Sequence, residues 1–232
     1  MKKVLILNLS CDTPPYDVMI DTALSTWDSI DVPNCETIYY CGRGKQSTEN
    51  VIRIPIKDSL ENMGHKTLAA FEWALANKEF DYIARVHSSC YVDKIVLMDY
   101  VETLPCKSLF SGIEADSQNG FRYLWGGGHY IISRDVIQAI VDNKTKWNHS
   151  YMEDESMSLV CKGLGIPFHG GRSCSINFTN NGILLLGYGG GSLEFHQWEL
   201  IKPLKHFFYR VKQDGKRDLD KFIMEQLFKV LK

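Results

Sequence analysis

The stretch DYIARVHSSCYVD, residues 81–93, predicts a short apolar strand that ends on small polar side chains. No glycine marks a turn where the strand gives way to Ser88 and Ser89. Open α/β sheets bind their ligands at the carboxyl ends of their strands, so polar groups at this point favour a binding site. The spacing fits a polar loop between a strand and a helix equally well, and both interpretations stay open.

Short apolar runs alternate with helical patterns on both sides of this stretch, through the first 140 residues. The predicted strands are Lys2–Leu9, Glu36–Tyr40, Val51–Ile56, Asp81–Val86, Leu109–Ile113 and Tyr130–Ser133. The predicted helices are Asp17–Trp27, Lys66–Ala76, Lys94–Thr103, Val136–Val141, Glu153–Lys162 and Leu219–Leu231. This alternation predicts an α/β fold, a single domain in which helices flank a mostly parallel sheet. The ligand site is then expected after Leu9, Tyr40 and Val86, and around Trp125–His129.

Two segments are predicted in more detail. The first helix is expected to face the core through one stripe of residues, namely Val18, Ile20, Ala23, Leu24 and Trp27. Residues 168–191 are rich in Gly, Ser and Asn and contain only short apolar runs, so no regular element is assigned to them.

The composition is that of an ordinary globular protein, with 44% hydrophobic and 23% charged residues among 232. A net charge of −2 excludes a global positive field that would attract nucleic acid or acidic membranes. The apolar run that follows Met1 is broken at Asn8, too early for a signal peptide, and no run approaches the roughly 20 residues of a membrane helix. Seven cysteines without a Cys-x-x-Cys pair predict reduced thiols and a cytoplasmic protein without a membrane anchor.

Two further stretches have residues suited to chemistry. Three glycines in the segment Trp125–Tyr130 let the backbone approach a ligand or another strand closely, although a tight structural turn is an equal alternative. The carboxylates of Glu153, Asp154 and Glu155 stand at a predicted helix start, where negative charge is favourable. A carboxylate in that place is also a candidate general base.

Read together, these segments resemble the Fringe and β-1,3-galactosyltransferase type of GT-A glycosyltransferases, which have a Rossmann-like sheet. The resemblance runs from Asp58 to Pro167, about half of the chain. The matching motifs are Asp58-Ser-Leu-Glu-Asn-Met-Gly-His-Lys-Thr67, Phe80-Asp-Tyr-Ile83, Tyr91-Val92, Gly127-Gly128-His129-Tyr130, Ser133-Arg134-Asp135, Glu153-Asp154 and Gly163-Leu164-Gly165-Ile166. Their order and spacing are more specific than any one of them. The resemblance implies a nucleotide-binding half in residues 1–110, an acceptor and catalytic half in 111–200, and a C-terminal basic, helical segment in 201–232.

The resemblance also implies roles for individual residues. The donor is a nucleotide sugar, most often UDP-linked, and its hexosyl or pentosyl group moves to an acceptor hydroxyl with inversion. Asp154 is the expected base, and Glu153 or Glu155 is the alternative. The residues expected to bind the donor are Ser10, Asp12, Thr13, Arg43, Lys66, Arg85, His87, Ser88 and Ser89. Those expected around the sugar and acceptor are Trp125, Gly126, Gly127 and Gly128.

One departure from the family concerns the metal. His87, Ser88 and Ser89 occupy the place of its Asp-rich motif, and a hard cation such as Mn²⁺ or Mg²⁺ prefers carboxylate oxygens. Metal-independent or weakly metal-dependent transfer is therefore expected, with protein cations on the phosphates. The candidates for phosphate binding are Arg85, Lys66, Lys205, Arg210, Lys212 and the histidine His196. The alternative is a rebuilt metal site, and its candidate ligands are His87, Asp93 and His196.

The last 31 residues carry nine Lys and Arg residues against four Asp and Glu, and residues 202–217 mix these cations with Phe207, Phe208 and Tyr209. The segment fits three roles. It could be a docking strand that packs on the fold with one face exposed to solvent, a segment that closes over the donor diphosphate, or a surface that binds a polyanionic acceptor. The last case suits a viral enzyme that glycosylates hydroxymethylated DNA bases, because aromatic residues stack on bases. The acceptor is accordingly a glycan or modified DNA.

Other classes of protein compete with this interpretation. A module that binds a nucleotide sugar or glycan without turnover would explain the missing Asp motif, whereas Glu153 and Asp154 argue against it. A nucleotidyltransferase has a similar sheet, but its Gly-rich loop is absent after Leu9. Enzymes of the resembling type in eukaryotes are membrane-anchored, so a chain without an anchor is expected to be bacterial or viral, in the latter case working in the host cytoplasm.

Overall fold

The structure is a computed structural model that describes residues 1–44, 47–127, 129–171, 174–178, 184–188, 191–195, 198–213 and 216–232. The six helices in these ranges are α1 Val18–Ser25, α2 Met63–Asn77, α3 Lys94–Glu102, α4 Arg134–Asp142, α5 Glu153–Gly163 and α6 Arg217–Leu231. Short 3-10 helices cover Trp27–Ser29, Lys144–Lys146 and Trp198–Leu204.

The main sheet has seven strands in the order β10-β6-β9-β4-β1-β2-β3. They are β1 Val4–Leu9, β2 Cys35–Cys41, β3 Val51–Arg53, β4 Tyr82–His87, β6 Phe110–Gly112, β9 His129–Ser133 and β10 Phe168–Gly170. Six of the seven run in one direction, and β9 runs antiparallel to both of its neighbours. The sheet is therefore mixed and mostly parallel, as the sequence predicts.

A second sheet of five strands has the order β13-β12-β11-β14-β5. Its members are β5 Cys90–Val92, β11 Cys174–Phe178, β12 Leu184–Tyr188, β13 Gly191–Phe195 and β14 Phe208–Arg210. A hairpin of β7 Glu114–Asp116 and β8 Arg122–Leu124 completes the strands. Residues 168–191, which received no element from the sequence, thus contribute β10 to the main sheet and β11 and β12 to the second sheet. Hydrogen bonds to neighbouring strands stabilise these short segments as strands. A local stretch of sequence does not show which distant strands will pair with it.

Two hydrophobic clusters cover the two faces of the main sheet. Along β1 the side chains alternate, so that Val4 and Ile6 belong to one cluster while Leu5 and Leu7 belong to the other. Helices α1, α3 and α6 pack on the first face, and α2, α4 and α5 pack on the second. Both faces of β1 are therefore buried, which explains why its sequence is apolar at every position except the buried Asn8.

The buried stripe of α1 differs from the predicted one. Met19 and Ala23 are buried, whereas Val18 and Leu24 are each 40% exposed. The α-helix ends at Ser25, and the buried Trp27 lies in the following 3-10 helix. The prediction is wrong at Val18 and Leu24, because the buried stripe of α1 runs through Met19, Thr22 and Ala23. Thr22 is polar, but its hydroxyl donates to the carbonyl oxygen of Val18, so it occupies a buried position that a hydrophobic pattern does not assign to it.

Candidate active site

A cavity of about 750 Å³ opens at the carboxyl ends of β1 and β4. Its lining comes from the segment after β1, the start of α2, the end of β4, the glycine segment, the start of α5 and the chain around β14 and α6. Strand ends and helix starts thus converge at one edge of the sheet, as expected for an open α/β sheet. The expected region after Tyr40 contributes none of its described residues to this lining.

Most residues predicted for the site line this cavity together. Those at the donor end are Ser10, Thr13, Lys66, His87, Ser88 and Ser89. Those on the opposite wall are Trp125, Gly126, Gly127, Glu153 and Asp154. The predicted cations in the lining, besides Lys66, are Arg210 and Lys212. Gly128 and His196 lie outside the described residues.

Six predicted residues in the described part of the chain lie outside the lining, among them Arg85 and Glu155, whose contacts are given below. Three of the other four have structural partners. Asp12 forms an ion pair with Arg53 at 2.8 Å. The Nε of Arg43 donates to the carbonyl oxygen of Pro55 at 2.8 Å. Asp93 caps α3, where its carboxylate accepts from the backbone N–H of Val96. The fourth residue, Lys205, is exposed and directly follows the 3-10 helix Trp198–Leu204.

Lys66 ties α2 to the loop that follows β1. Its side chain is 3% exposed, and Nζ donates to the carbonyl oxygen of Ser10 at 3.0 Å. It also forms a short ion pair with Asp58, whose carboxylate accepts from the backbone N–H of Gly42. The charge of Lys66 is therefore compensated, and the residue fixes the floor of the cavity.

Arg85 and Glu153 form a fully buried ion pair at 2.8 Å between β4 and α5. A second nitrogen of Arg85 donates to the carbonyl oxygen of Gly126 at 3.0 Å. Burial raises the pKa of Glu153, and the charge of Arg85 opposes that shift. The Glu153 carboxylate is thus committed to Arg85, and the pair positions the glycine segment against α5.

Asp154 is the carboxylate at the start of α5 that remains available in the cavity. One oxygen accepts from the backbone N–H of Gly126 at 2.9 Å, and the other accepts from the N–H of Glu155 at 3.0 Å. Each carboxylate oxygen keeps a further lone pair for a substrate hydroxyl. Glu155, by contrast, accepts a short hydrogen bond from Ser117 and does not line the cavity.

The glycines permit close packing in this wall. A Cβ at Gly126 would lie 2.2 Å from the Tyr130 hydroxyl and 2.9 Å from the Cβ of Asp154. A Cβ at Gly127 would lie 2.2 Å from the ring of Trp125. Only glycine therefore brings the chain this close to Asp154 and lets Trp125 fold over the backbone beside the cavity.

One end of the cavity is strongly cationic. Arg210 and Lys212 line it, and so does Arg217, which the sequence analysis did not select. Burial lowers the pKa of Arg210 to about 10, and the charges of Arg85 and Arg217 add to this shift. Burial also lowers the pKa of His87, with further contributions from Arg85, Arg210 and Lys212, so its imidazole is neutral at pH 7.

Sequence reasoning missed several lining residues besides Arg217, namely Pro14, Tyr16, Asp58, Ser59, Leu60, Met63, Met152 and Ser175. Pro14 and Tyr16 follow the first strand closely, so the strand-end rule could have found them. Ser175 comes from β11, in the segment without a recognised element, and carried no such signal.

The aromatic residues of the C-terminal segment are not available for base stacking. Phe207, Phe208 and Tyr209 are at most 1% exposed and belong to the first hydrophobic cluster. The segment forms β14, which pairs with β5 and β11, and this matches the docking-strand alternative. The stacking argument for a DNA acceptor is therefore lost.

Among the described residues, no group of three or more His, Cys, Asp or Glu side chains could hold a metal ion. The described helices also include none that is both long and apolar enough to cross a membrane.

Comparison with solved structures shows the fold. The chain is similar to a glycosyltransferase involved in the glycosylation of the major capsid of PBCV-1, with a TM-score of 0.56 and 10% identity over 96% of this chain and 99% of that chain. A second similar structure is the glycosyltransferase GlyE of Streptococcus pneumoniae TIGR4, with a TM-score of 0.44 and 14% identity over 74% of this chain and 45% of that chain. The first similarity shows that this chain has the fold of a glycosyltransferase over nearly its whole length. No protein-family model and no curated protein sequence matches the chain significantly.

Proposed function

We propose that this protein is a glycosyltransferase that moves a sugar from a nucleotide-sugar donor to an acceptor hydroxyl. The observation that carries the proposal is the arrangement within one cavity: the Asp154 carboxylate lies in one wall, and Arg210 and Lys212 lie at the cationic end. The fold shared with a known glycosyltransferase supports the same conclusion. The Fringe-type GT-A resemblance belongs to this proposal, since three of its motifs contribute to the lining: the one that begins at Asp58, the one that begins at Gly127, and Glu153-Asp154.

The chemistry requires a base and a stabilised leaving group. Asp154 takes the proton of the acceptor hydroxyl while that oxygen forms a bond to the anomeric carbon of the donor sugar. The bond from the anomeric carbon to the donor phosphate oxygen breaks, and the nucleoside diphosphate leaves with the bonding electrons. Attack on the face opposite the leaving group inverts the anomeric carbon. Cations near the departing diphosphate stabilise its developing charge.

The cavity offers a place for each part of the donor. The segment from Ser10 to Tyr16 is assigned to the base and ribose, because it lines the end of the cavity formed after β1. His87, Ser88 and Ser89 follow β4 and are assigned to the diphosphate region. The resemblance favours a UDP-linked hexose or pentose.

Trp125 and Asp154 are assigned to the sugar and the acceptor. The Trp125 ring packs over Gly127 at the cavity wall and offers a flat face to a sugar ring. Leu60 and Met152 line the cavity and are 69% and 48% exposed, so this side is open to an incoming acceptor. We assign a glycan as the acceptor at this open side. Modified DNA has no specific support, because the C-terminal aromatic residues that would stack on its bases are buried.

The test is the variant Asp154→Asn, compared with Glu155→Gln. The first change removes the base and keeps the shape, so transfer should fall by about 10²–10⁴-fold while donor binding persists. The second change affects a carboxylate that lies outside the lining, so transfer should stay near the wild-type rate. Rates are measured with a panel of nucleotide sugars and acceptor glycans, and donor binding is measured by calorimetry. Undiminished transfer by Asp154→Asn would remove Asp154 from the mechanism.

The same assays separate this proposal from a binding module. Such a module would bind a nucleotide sugar or glycan through the same cavity, yet the wild-type protein would transfer no sugar to any acceptor and would not hydrolyse the donor. Slow donor hydrolysis by the wild type that disappears in Asp154→Asn would favour the enzyme even before its acceptor is found.

A further inference from the structure

The cations of the cavity differ in whether a carboxylate compensates them. Lys66 pairs with Asp58, and Arg217 pairs with Asp220 through a short contact. Arg210 and Lys212 form no ion pair with any described residue. Asp220 is the described carboxylate that interacts with all three cations Arg210, Lys212 and Arg217, and its ion pair is with Arg217. One carboxylate against three cations leaves an excess of positive charge among the described residues at this end of the cavity, and an anionic ligand would balance it.

The geometry of these cations also leaves donors free for a ligand. Nη1 of Arg210 and Nε of Arg217 are buried nitrogens without a hydrogen-bond partner among the described residues. Ser175 lies directly opposite Arg210 in the pairing of β11 with β14 and lines the same cavity. Buried donors without partners are costly, so a ligand with several acceptor oxygens fits this place.

A divalent metal does not fit the same place. A hard cation needs carboxylate oxygens, and two of the three carboxylates in the lining, Asp58 and Glu153, are already paired with buried cations. His87 is the one imidazole among the described residues of the lining, and the charges of Arg85, Arg210 and Lys212 act on it and would repel a metal ion. The Mn²⁺ or Mg²⁺ of the resembling family thus disagrees with the residues present here.

We propose that Arg210 and Lys212, with Arg217 beside them, bind the diphosphate of the donor directly and take the place of a divalent cation. This inference rests on the proposed function, because it concerns the donor of that reaction. Arginine and lysine bind phosphate oxygens through charge-assisted hydrogen bonds, and Arg210 is held rigidly by its place in β14. The cations are thereby preorganised for the charge of the leaving nucleoside diphosphate.

The experiment uses UDP, GDP and inorganic pyrophosphate as probes, titrated into the full chain by calorimetry in EDTA and in Mn²⁺. Pyrophosphate has no base or sugar, so it tests the phosphate site alone. Binding in EDTA within about threefold of that in Mn²⁺ is the expected result. Arg210→Gln and Lys212→Gln should each weaken binding by about 10–100-fold, as expected for losing hydrogen bonds to a charged group.

Two further variants keep the result interpretable. Arg210→Lys retains the charge and should lose less affinity than Arg210→Gln. Lys202→Gln changes an exposed lysine outside the lining and should bind the probes like the wild type. The melting temperature of each variant without a probe identifies any variant that fails to fold, and in that case Lys212→Gln, at an exposed position, decides the question.

The outcomes distinguish this inference from the proposed function. Binding only in Mn²⁺, or metal-free binding that Arg210→Gln and Lys212→Gln leave unchanged, would overturn the inference while sugar transfer by the wild type stands. Failure of every probe to bind under both conditions, together with no transfer, would overturn both.

Discussion

At the scale of single residues, His129 stands in sequence beside the glycines that line the cavity, but in the fold its side chain is buried in the core. It follows the glycine segment, yet its ring lies 4.0 Å from that of Phe208 and packs within the core. Neither ring nitrogen has a hydrogen-bond partner among the described residues. Burial lowers the pKa of His129 to about 3, so the folded protein holds it neutral.

The variant His129→Leu is therefore expected to stabilise the protein, and more strongly in acid. The unfolded chain binds a proton at His129 below about pH 6.5 while the folded chain does not, so the wild type loses stability as pH falls from about 6.5 towards 3. At pH 7.5 the gain is about 1–3 kcal/mol from removing unpaired polar atoms. At pH 4.5 it should be about 3 kcal/mol larger, at about 1.4 kcal/mol per pKa unit. Urea unfolding at the two pH values measures this difference, and an equal gain at both would contradict the assignment of a neutral histidine.

At the scale of elements, the Arg85–Glu153 pair joins β4 to α5 and holds the glycine segment between them. Arg85→Met leaves the Glu153 carboxylate buried without its cation and should lower the free energy of unfolding by about 3–5 kcal/mol. The double variant Arg85→Met with Glu153→Leu removes both charges and should recover most of that loss. Urea unfolding of the two single variants and the double variant gives the coupling energy. Losses that simply add would show that the two side chains act independently.

The elements that could be predicted from sequence share one physical feature. The runs that form β1, β2 and β4 are apolar over most of their length because helices bury both faces of these strands, so local sequence alone identifies them. The strands β11 to β13 were missed because pairing with neighbours, rather than composition, defines them.

The site was predictable to the same degree. Ser88, Ser89 and Asp154 stand beside strand ends or at a helix start, and the strand-end rule places such residues at one edge. Arg210 was selected only as one of several cations in a basic segment, together with Lys205, which lies outside the lining. The pairing of β14 with β5, which places Arg210 opposite Cys90, joins residues too far apart in sequence for a local pattern to separate the two cations. Asp12 forms an ion pair with Arg53 instead of lining the cavity, and residue type and spacing do not reveal this pairing.

At the scale of the whole molecule, the end of the chain is part of both the core and the cavity. Helix α6 buries Ile223, Met224 and Leu227 in the same cluster as Val4 and Ile6 of the first strand. Its first residue, Arg217, lines the cavity. A single cooperative domain is therefore expected, in which the last helix stabilises the strands that begin the chain.

This expectation gives a prediction for Leu227→Ala. The change leaves a cavity in a fully buried position of α6 and should cost about 2–5 kcal/mol. In a single domain the loss falls on the entire structure, so urea transitions followed by far-UV circular dichroism and by tryptophan fluorescence should shift together and keep one midpoint. Lys229→Ala, in the last turn of the same helix, is the matched control. Its free energy of unfolding should stay within about 0.5 kcal/mol of the wild-type value. If the two signals separated in Leu227→Ala, the C-terminal segment would be an independent folding unit. The cationic end of the cavity, to which Arg217 of α6 belongs, could then unfold while the main sheet stays folded.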